Sequence, residues 1–205
     1  MKKRTALFTL IVIMVLCLTA CKQLDVSINS VGKNNTSAKK IVAEIEKDLL
    51  AEDPKNPFVL YGLEMSMDIE GIGKTKLYYT DKLPQDLKYS DITVITVDTR
   101  TGHIDSVDAA DFVSLETTPY EFIVDGAPAM LSDWAKDSDE ARKIAENTFY
   151  GEENFVYNYV KISAFVKNGI RQYEVTFISF VNQLQYICRI DGMTGNVIFT
   201  DITKL

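Results

Sequence analysis

Along this chain, a stretch with the helical spacing of apolar residues is followed by stretches in which apolar and polar residues alternate as in β-strands. From Thr36 onward, apolar residues recur every three or four positions and predict an amphipathic helix that ends at Asp53-Pro54. Four stretches then alternate in the manner of antiparallel strands, namely FVLYGLEMSMDI, KTKLYYT, DITVITVD and HIDSV. We expect the first strand to be half-buried. Its inner face would carry Val59, Tyr61, Leu63, Met65, Met67 and Ile69, and its outer face Glu64, Ser66 and Asp68.

The same order returns in the second half of the chain. Asp137 and Glu140 have the spacing of a capping box and predict a second helix, whose buried face would carry Ala141, Ile144, Ala145 and Thr148. Four more strands are predicted by NFVYNYVKISAFVK, IRQYEVTFISFV, LQYICRI and NVIFTDI, with Asn168-Gly169 as a hairpin turn. Residues 109–136 connect the halves. We expect them to hold a strand near 120–124 and a short helix near 130–135 that packs Trp134 against a sheet.

Each half contains a turn of the form Asp-x-x-Thr-Gly before its last strand. These turns begin 93 residues apart, and the helix residues Ile41 and Ile144 are 103 apart, so a repeated unit of one helix and four strands explains both offsets. An aspartate can cap such a turn with an Asx-type hydrogen bond, and glycine supplies the positive φ that other residues resist. The residues predicted to shape the turns are Asp98, Gly102, Asp191 and Gly195.

The acidic residues also suggest a calcium site, with Asp98, Asp105, Asp108, Asp111, Asp191 and Asp201 as candidates. Calcium needs six to eight converging oxygen ligands, and no segment has the regular carboxylate spacing of an EF-hand loop. We therefore expect a solvated acidic surface, with no metal and no cofactor.

The N-terminus has the pattern of a bacterial export signal. Lys2, Lys3 and Arg4 precede an apolar stretch that is shorter than the roughly 20 residues of a membrane span. Leu18-Thr19-Ala20-Cys21 resembles the lipobox of bacterial lipoproteins, in which the cysteine is lipidated and becomes the new N-terminus. An uncleaved anchor or an ordinary secretory signal is the alternative. We expect residues 1–20 to be removed and Cys21 to hold the protein on the outer side of the cell membrane by its acyl chains, palmitate being the fatty acid expected.

Removal of residues 1–20 changes the formal net charge from −7 to −7 − 3 = −10. So acidic a domain is not expected to bind nucleic acid or to lie flat on anionic lipid. Residues 21–36 are polar and should form a tether, although a first edge strand near 24–28 is an alternative. Cys188 is then the only unmodified cysteine, so an intramolecular disulfide is excluded.

The second half resembles a PepSY domain, a small helix-plus-sheet module of extracytoplasmic bacterial proteins and of metallopeptidase propeptides. The resemblance rests on DEARKIAENTF, RQYEVTFIS and YICRIDGMTGNVI; the first half, ending VDTRTGHI, is a more degenerate match. It implies an α+β fold with two tandem helix-plus-antiparallel-sheet, PepSY/cystatin-like units, at residues 37–108 and 137–205. It also implies a regulatory or inhibitory role toward an envelope protein, and it transfers no catalytic residue.

Two residues could in principle serve catalysis. His103 is the single histidine and directly follows the first turn, so we expect a surface residue. Cys188 alternates with Leu184, Tyr186 and Ile190 on one strand face, where a thiol is buried and inert. We therefore expect a protein that is not an enzyme.

The remaining sequence signals favour a binding protein. Aromatic residues on an exposed sheet face could contact a partner, and Tyr157, Tyr159 and Phe180 are the candidates. The leading prediction is a membrane-anchored, non-enzymatic binding or regulatory module for an envelope protein such as a peptidase or a sensor. The alternative is a lipoprotein that binds a small molecule or a cell-wall fragment in a cleft between the two units.

Overall fold

The computed structural model describes residues 37–52, 58–81, 91–109, 126–152 and 155–205. The predicted signal peptide, Cys21, the predicted tether with its alternative strand, the calcium candidate Asp111 and the strand expected near residues 120–124 lie outside this part of the chain. The described helices are α1 (Ala38–Glu52) and α2 (Ser138–Phe149), with a short 3-10 helix at Leu131–Asp133. The described strands are β1 (Val59–Asp68), β2 (Gly73–Thr80), β3 (Thr93–Asp98), β4 (Ile104–Ala109), β5 (Gly126–Ala127), β6 (Tyr159–Lys167), β7 (Ile170–Ser179), β8 (Leu184–Asp191) and β9 (Val197–Lys204).

All described strands belong to one antiparallel sheet of order β4-β3-β2-β1-β6-β7-β8-β9, and β5 adds to the end of β6. The two halves meet where β1 pairs with β6, for example at Leu63 opposite Ala164. Each half therefore contributes four strands to a common sheet, and the α+β class expected from the sequence is confirmed.

Both helices pack on the same face of the sheet and share one hydrophobic core. The spacing of apolar residues in α1 puts Ile41, Val42 and Ile45 into this core, as the helical period predicts. In α2 the buried positions are Ala141, Ala145 and Phe149. The expectation for Thr148 is wrong, because it is exposed and the large ring of Phe149 fills the space at the end of the helix.

The prediction for β1 is wrong in three respects. A register shift between Leu60 and Gly62 brings Leu60 into the core in place of Tyr61, and Ile69 lies in the following turn, 55 % exposed. Glu64, expected on a solvated face, is only 4 % exposed. Glu64 is buried because β1 runs between β2 and β6. Two large side chains of these neighbouring strands lie beside β1 on the face away from the helices and are also buried, namely Tyr78 and Phe165.

The N-termini of the two helices meet at one carboxylate. Asp137 caps α2 by accepting hydrogen bonds from the backbone of Ser138 (2.7 Å) and of Glu140. It also accepts from the hydroxyl of Ser37 (2.7 Å) and the backbone N–H of Lys39 (3.2 Å), at the start of α1. Ser37 in turn accepts from the N–H of Lys40, so a single side chain links both caps. The equivalent positions of the helices are therefore 100 residues apart, and Ile41 corresponds to Ala141 rather than to Ile144.

Trp134 follows the 3-10 helix and packs against the sheet as expected. It is 2 % exposed, and its ring packs edge-on against the Tyr173 ring, with 4.9 Å between the ring centroids. Its six-membered ring also lies over Gly192, where an added Cβ would be 2.6 Å from Cε3. A glycine at this point of the turn before β9 is what allows the indole to be buried.

Candidate interaction surfaces

The two Asp-x-x-Thr-Gly turns have the same hydrogen-bond geometry. Asp191 Oδ1 accepts from the backbone of Met193 (2.7 Å) and Thr194 (2.9 Å), and Gly195, at φ +79°, donates to the carbonyl of Asp191. Asp98 Oδ1 accepts from the backbone of Thr101 and Arg100 in the same way, and Gly102 has φ 73°. Of the aspartates considered as calcium ligands, Asp98 and Asp191 therefore use Oδ1 to accept hydrogen bonds from the backbone of their own turns, and Asp105 pairs with Lys74.

These hydrogen bonds shift the acidity of both aspartates. The backbone hydrogen bond from Thr194 lowers the pKa of Asp191. For Asp98, partial burial raises the pKa, but the hydrogen bonds from Thr101 outweigh it and the net shift is downward. Both carboxylates are therefore held in the charged form that the turn requires.

The two residues considered for catalysis lie far apart. Cys188 is fully buried, and burial raises the pKa of its thiol to about 11. His103 is exposed between β3 and β4. Several strands separate that turn from β8, at roughly 4.8 Å per strand. In the described ranges, no group of three or more His, Cys, Asp and Glu residues is placed to hold a metal ion.

The three residues proposed for binding do not share a surface. The Tyr157 ring packs on the helix side, and its hydroxyl donates to Glu146 (2.5 Å) and accepts from Arg142 (2.9 Å). Tyr159 lies on the opposite face. Phe180 lies beyond the end of β7, in the turn that leads to β8.

Tyr159 helps to line a small cavity on the face away from the helices. The cavity has a volume of about 190 Å³, and its other lining residues are Glu64, Ser66, Lys74 and Lys76. It spans β2, β1 and β6, which is where the two halves of the sheet join. Each of these lining residues carries a polar or charged group.

The β7–β8 turn, residues 179–183, presents two large apolar side chains, and we name it the hairpin tip. Phe180 is 57 % exposed and Val181 is 76 % exposed. The backbone beneath them is fixed by side-chain hydrogen bonds: Phe180 N–H donates to Asn158 Oδ1 (3.1 Å), and Gln183 Nε2 donates to the Phe180 carbonyl (2.8 Å). Turns normally carry small or polar residues, so a fixed apolar turn is a candidate contact surface.

The second exposed apolar feature is β9, which pairs only with β8 in the described part of the chain. Val197, Ile198, Phe199 and Ile202 are each 40 to 44 % exposed. Neither this strand nor Val181 was predicted from the sequence as a contact surface. The signal was nevertheless present, because NVIFTDI has apolar residues on both faces and so does not alternate like a strand with one wet face.

Fold and surfaces together define an extended antiparallel sheet with two helices on one face and exposed apolar groups at one end and one edge. The protein is similar to a candidate lipoprotein of Clostridium difficile 630, known from its crystal structure, with a TM-score of 0.52 and 12 % identity over 79 % of this chain and 92 % of that chain. At this identity the similarity shows the fold alone.

A second match is the C-terminal domain of Bacillus megaterium YpeB, at a TM-score of 0.27 and 12 % identity over 86 % of this chain and 70 % of that chain. Comparison with protein-family models and with curated proteins gives no significant match. No helix in the described ranges is long and apolar enough to cross a membrane.

Proposed function

We propose that this protein is a lipid-anchored, extracytoplasmic binding module that docks on another protein of the cell envelope. The lipobox ending at Cys21 supports the anchor, and the net charge of −10 after processing, which is −7 − 3, supports a folded part that stays solvated next to the membrane. The fold match to a candidate lipoprotein agrees with this location.

The proposal includes two tandem PepSY-like units. Three observations support it. The order of one helix and four strands occurs twice, and both units carry the same Asx turn before their last strand. The N-cap residues of the two helices, Ser37 and Asp137, are 100 residues apart. The pairing of β1 with β6 joins the units edge to edge.

The observation that carries the binding role is the hairpin tip. Phe180 and Val181 are large apolar groups held on a hydrogen-bonded backbone, so little conformational freedom is lost when a partner covers them. Aromatic anchors on a fixed scaffold are typical of the residues that dominate protein interfaces.

The test is cross-linking in intact cells that express the full-length chain, followed by purification and identification of bound proteins. Phe180→Ser with Val181→Ser should remove a partner that the unaltered chain recovers, at equal protein abundance. Met130→Ser is the matched control, because Met130 is 58 % exposed at another site and its loss should leave recovery unchanged. Equal recovery with the tip variant, or no specific partner at all, would count against the proposal.

The anchor has its own test. Cys21→Ala should leave the chain unprocessed or release it from the membrane fraction, and it should abolish incorporation of labelled palmitate. Unchanged lipid labelling of the variant would overturn the anchor.

Binding of a small molecule is less well supported. Ligand pockets usually measure roughly 300–1,000 Å³ and are mostly apolar. The cavity between the halves is about 190 Å³ and is lined by Glu64, Lys74 and Lys76. We assign no catalytic role, because the buried Cys188 and the exposed His103 are separated by several strands.

A further inference from the structure

The two edges of the described sheet differ in composition. The edge strand β4 carries Asp105 and Asp108 within six residues, and Asp105 is paired with Lys74. Charged residues of this kind discourage an edge from pairing with another strand. β9 is longer, with eight residues, and has apolar side chains on both faces. β9 also carries the charged residues Asp201 and Lys204, so the difference between the edges lies in the apolar side chains of β9, and these favour β9 as the edge for strand addition.

The pairing of β9 with β8 determines which backbone N–H and C=O groups of β9 point to the open edge of the sheet. The N–H of Leu205 donates to the Gln183 carbonyl (3.0 Å), and hydrogen-bonded positions alternate along an antiparallel pair. Phe199, Asp201 and Thr203 therefore turn their backbone groups toward β8. The backbone groups of the alternate residues point to the open edge; these are Thr200, Ile202 and Lys204.

We propose that β9 pairs in antiparallel fashion with β9 of a second copy of this chain, about a two-fold axis at Ile202. A two-fold axis at Asp201 would bring two carboxylates directly opposite each other, which destabilises a strand pair. The register shift at Arg189/Ile190 interrupts the strand at Val197, so the regular ladder runs from Phe199 to Leu205 and has Ile202 at its centre.

The side chains match in this register. Ile202 faces Ile202 of the second copy, Phe199 faces Leu205, Thr200 faces Lys204 and Asp201 faces Thr203. No like charges are directly opposite, and the apolar pairs lie at the centre and at both ends. The dimer then continues one sheet from one protomer into the other and covers the exposed edge. This inference is independent of the hairpin tip and of the envelope partner.

Site-specific disulfide formation tests the register. In cells expressing the full-length chain, Ile202→Cys followed by oxidation with copper phenanthroline should give a dimer that reducing agent converts to monomer. Opposed residues in such a pair have Cα atoms about 5.5 Å apart, within the range of a disulfide. Thr203→Cys is the control. In the proposed register the two copies of residue 203 are offset by two residues along the strands, so their Cα atoms lie farther apart than the ~7 Å limit for a disulfide. The unaltered chain controls for Cys188, which is buried.

A second measurement does not depend on oxidation. The detergent-solubilised full-length chain should have the mass of a dimer by light scattering, and Ile202→Lys should convert it to a monomer with an unchanged far-ultraviolet spectrum. Three results would overturn the proposal: a monomeric unaltered chain, equal cross-linking of the Thr203→Cys control, or a disulfide adduct between the Ile202→Cys variant and a different protein.

Discussion

The carboxylate shared by the two helices allows a quantitative prediction. Asp137→Ala removes the cap of α2 and two hydrogen bonds from the start of α1, those from Ser37 and the Lys39 N–H. Loss of an N-cap costs about 1 kcal/mol, and each additional hydrogen bond contributes about 1 kcal/mol. We expect a loss of about 3 kcal/mol in the free energy of unfolding, or roughly 6–12 °C in Tm for a chain of this size.

The assay is urea denaturation of the purified protein, followed by circular dichroism and by the fluorescence of Trp134, which is buried beside this junction. Asp139→Ala is the matched control. It removes a carboxylate from the same helical turn, but this carboxylate is 3.6 Å from the ammonium group of the exposed Lys143, so less than about 0.5 kcal/mol should be lost.

A double-mutant cycle separates one shared cap from two independent ones. If the Ser37 hydroxyl acts through Asp137, the effects of Ser37→Ala and Asp137→Ala should fall short of additivity by about 1 kcal/mol. Full additivity, or a loss for Asp137→Ala no larger than that for Asp139→Ala, would refute the shared cap.

Three further predictions concern the sheet. The lowered pKa of Asp98 and of Asp191 means that their contribution to stability is present above the ordinary value of 3.8 and is lost as pH falls through the lower folded value. The double variant Asp98→Asn, Asp191→Asn should therefore lose less stability than the unaltered protein between about pH 5 and pH 2, measured by urea denaturation; an equal acid response would contradict the assignment. Gly192→Ala should destabilise by about 1–3 kcal/mol, because its Cβ would lie 2.6 Å from the Trp134 ring, whereas Gly151→Ala, with nothing within 4 Å, should be neutral in thermal unfolding. The Cys188 thiol, whose pKa burial raises to about 11, should resist maleimide at neutral pH in the folded protein and react only in denaturant; rapid labelling of the native state would show that the strand face is not buried.

Local chemistry made much of the fold predictable. The Asp137–Glu140 spacing predicted the α2 cap, and Asn168-Gly169 predicted a turn in which both residues have positive φ. These features depend on residues close together in sequence. The burial of Trp134 was also predictable, because a large aromatic residue in a short connection needs a surface to cover.

Long-range pairing was not predictable in the same way. The burial of Glu64 depends on β1 lying between β2 and β6, and no local pattern reports which strands become neighbours. The separation of Tyr157 from Tyr159 has a related cause. Tyr157 precedes β6 and turns its ring onto Phe177, whereas Tyr159 is the first residue of the strand and faces the other side. Alternation alone treats the two as members of one strand face.

The pairing of β1 with β6 has a consequence for how the chain acquires its structure. Gly62 is opposite Phe165, so the central contact of the sheet closes a loop of roughly a hundred residues, and contacts of such high sequence separation slow folding. During synthesis from the N-terminus, β1 emerges long before β6 and has one edge without its final neighbour. Refolding should therefore be slow, because the common core forms only after the first four strands have paired with the strands that follow α2.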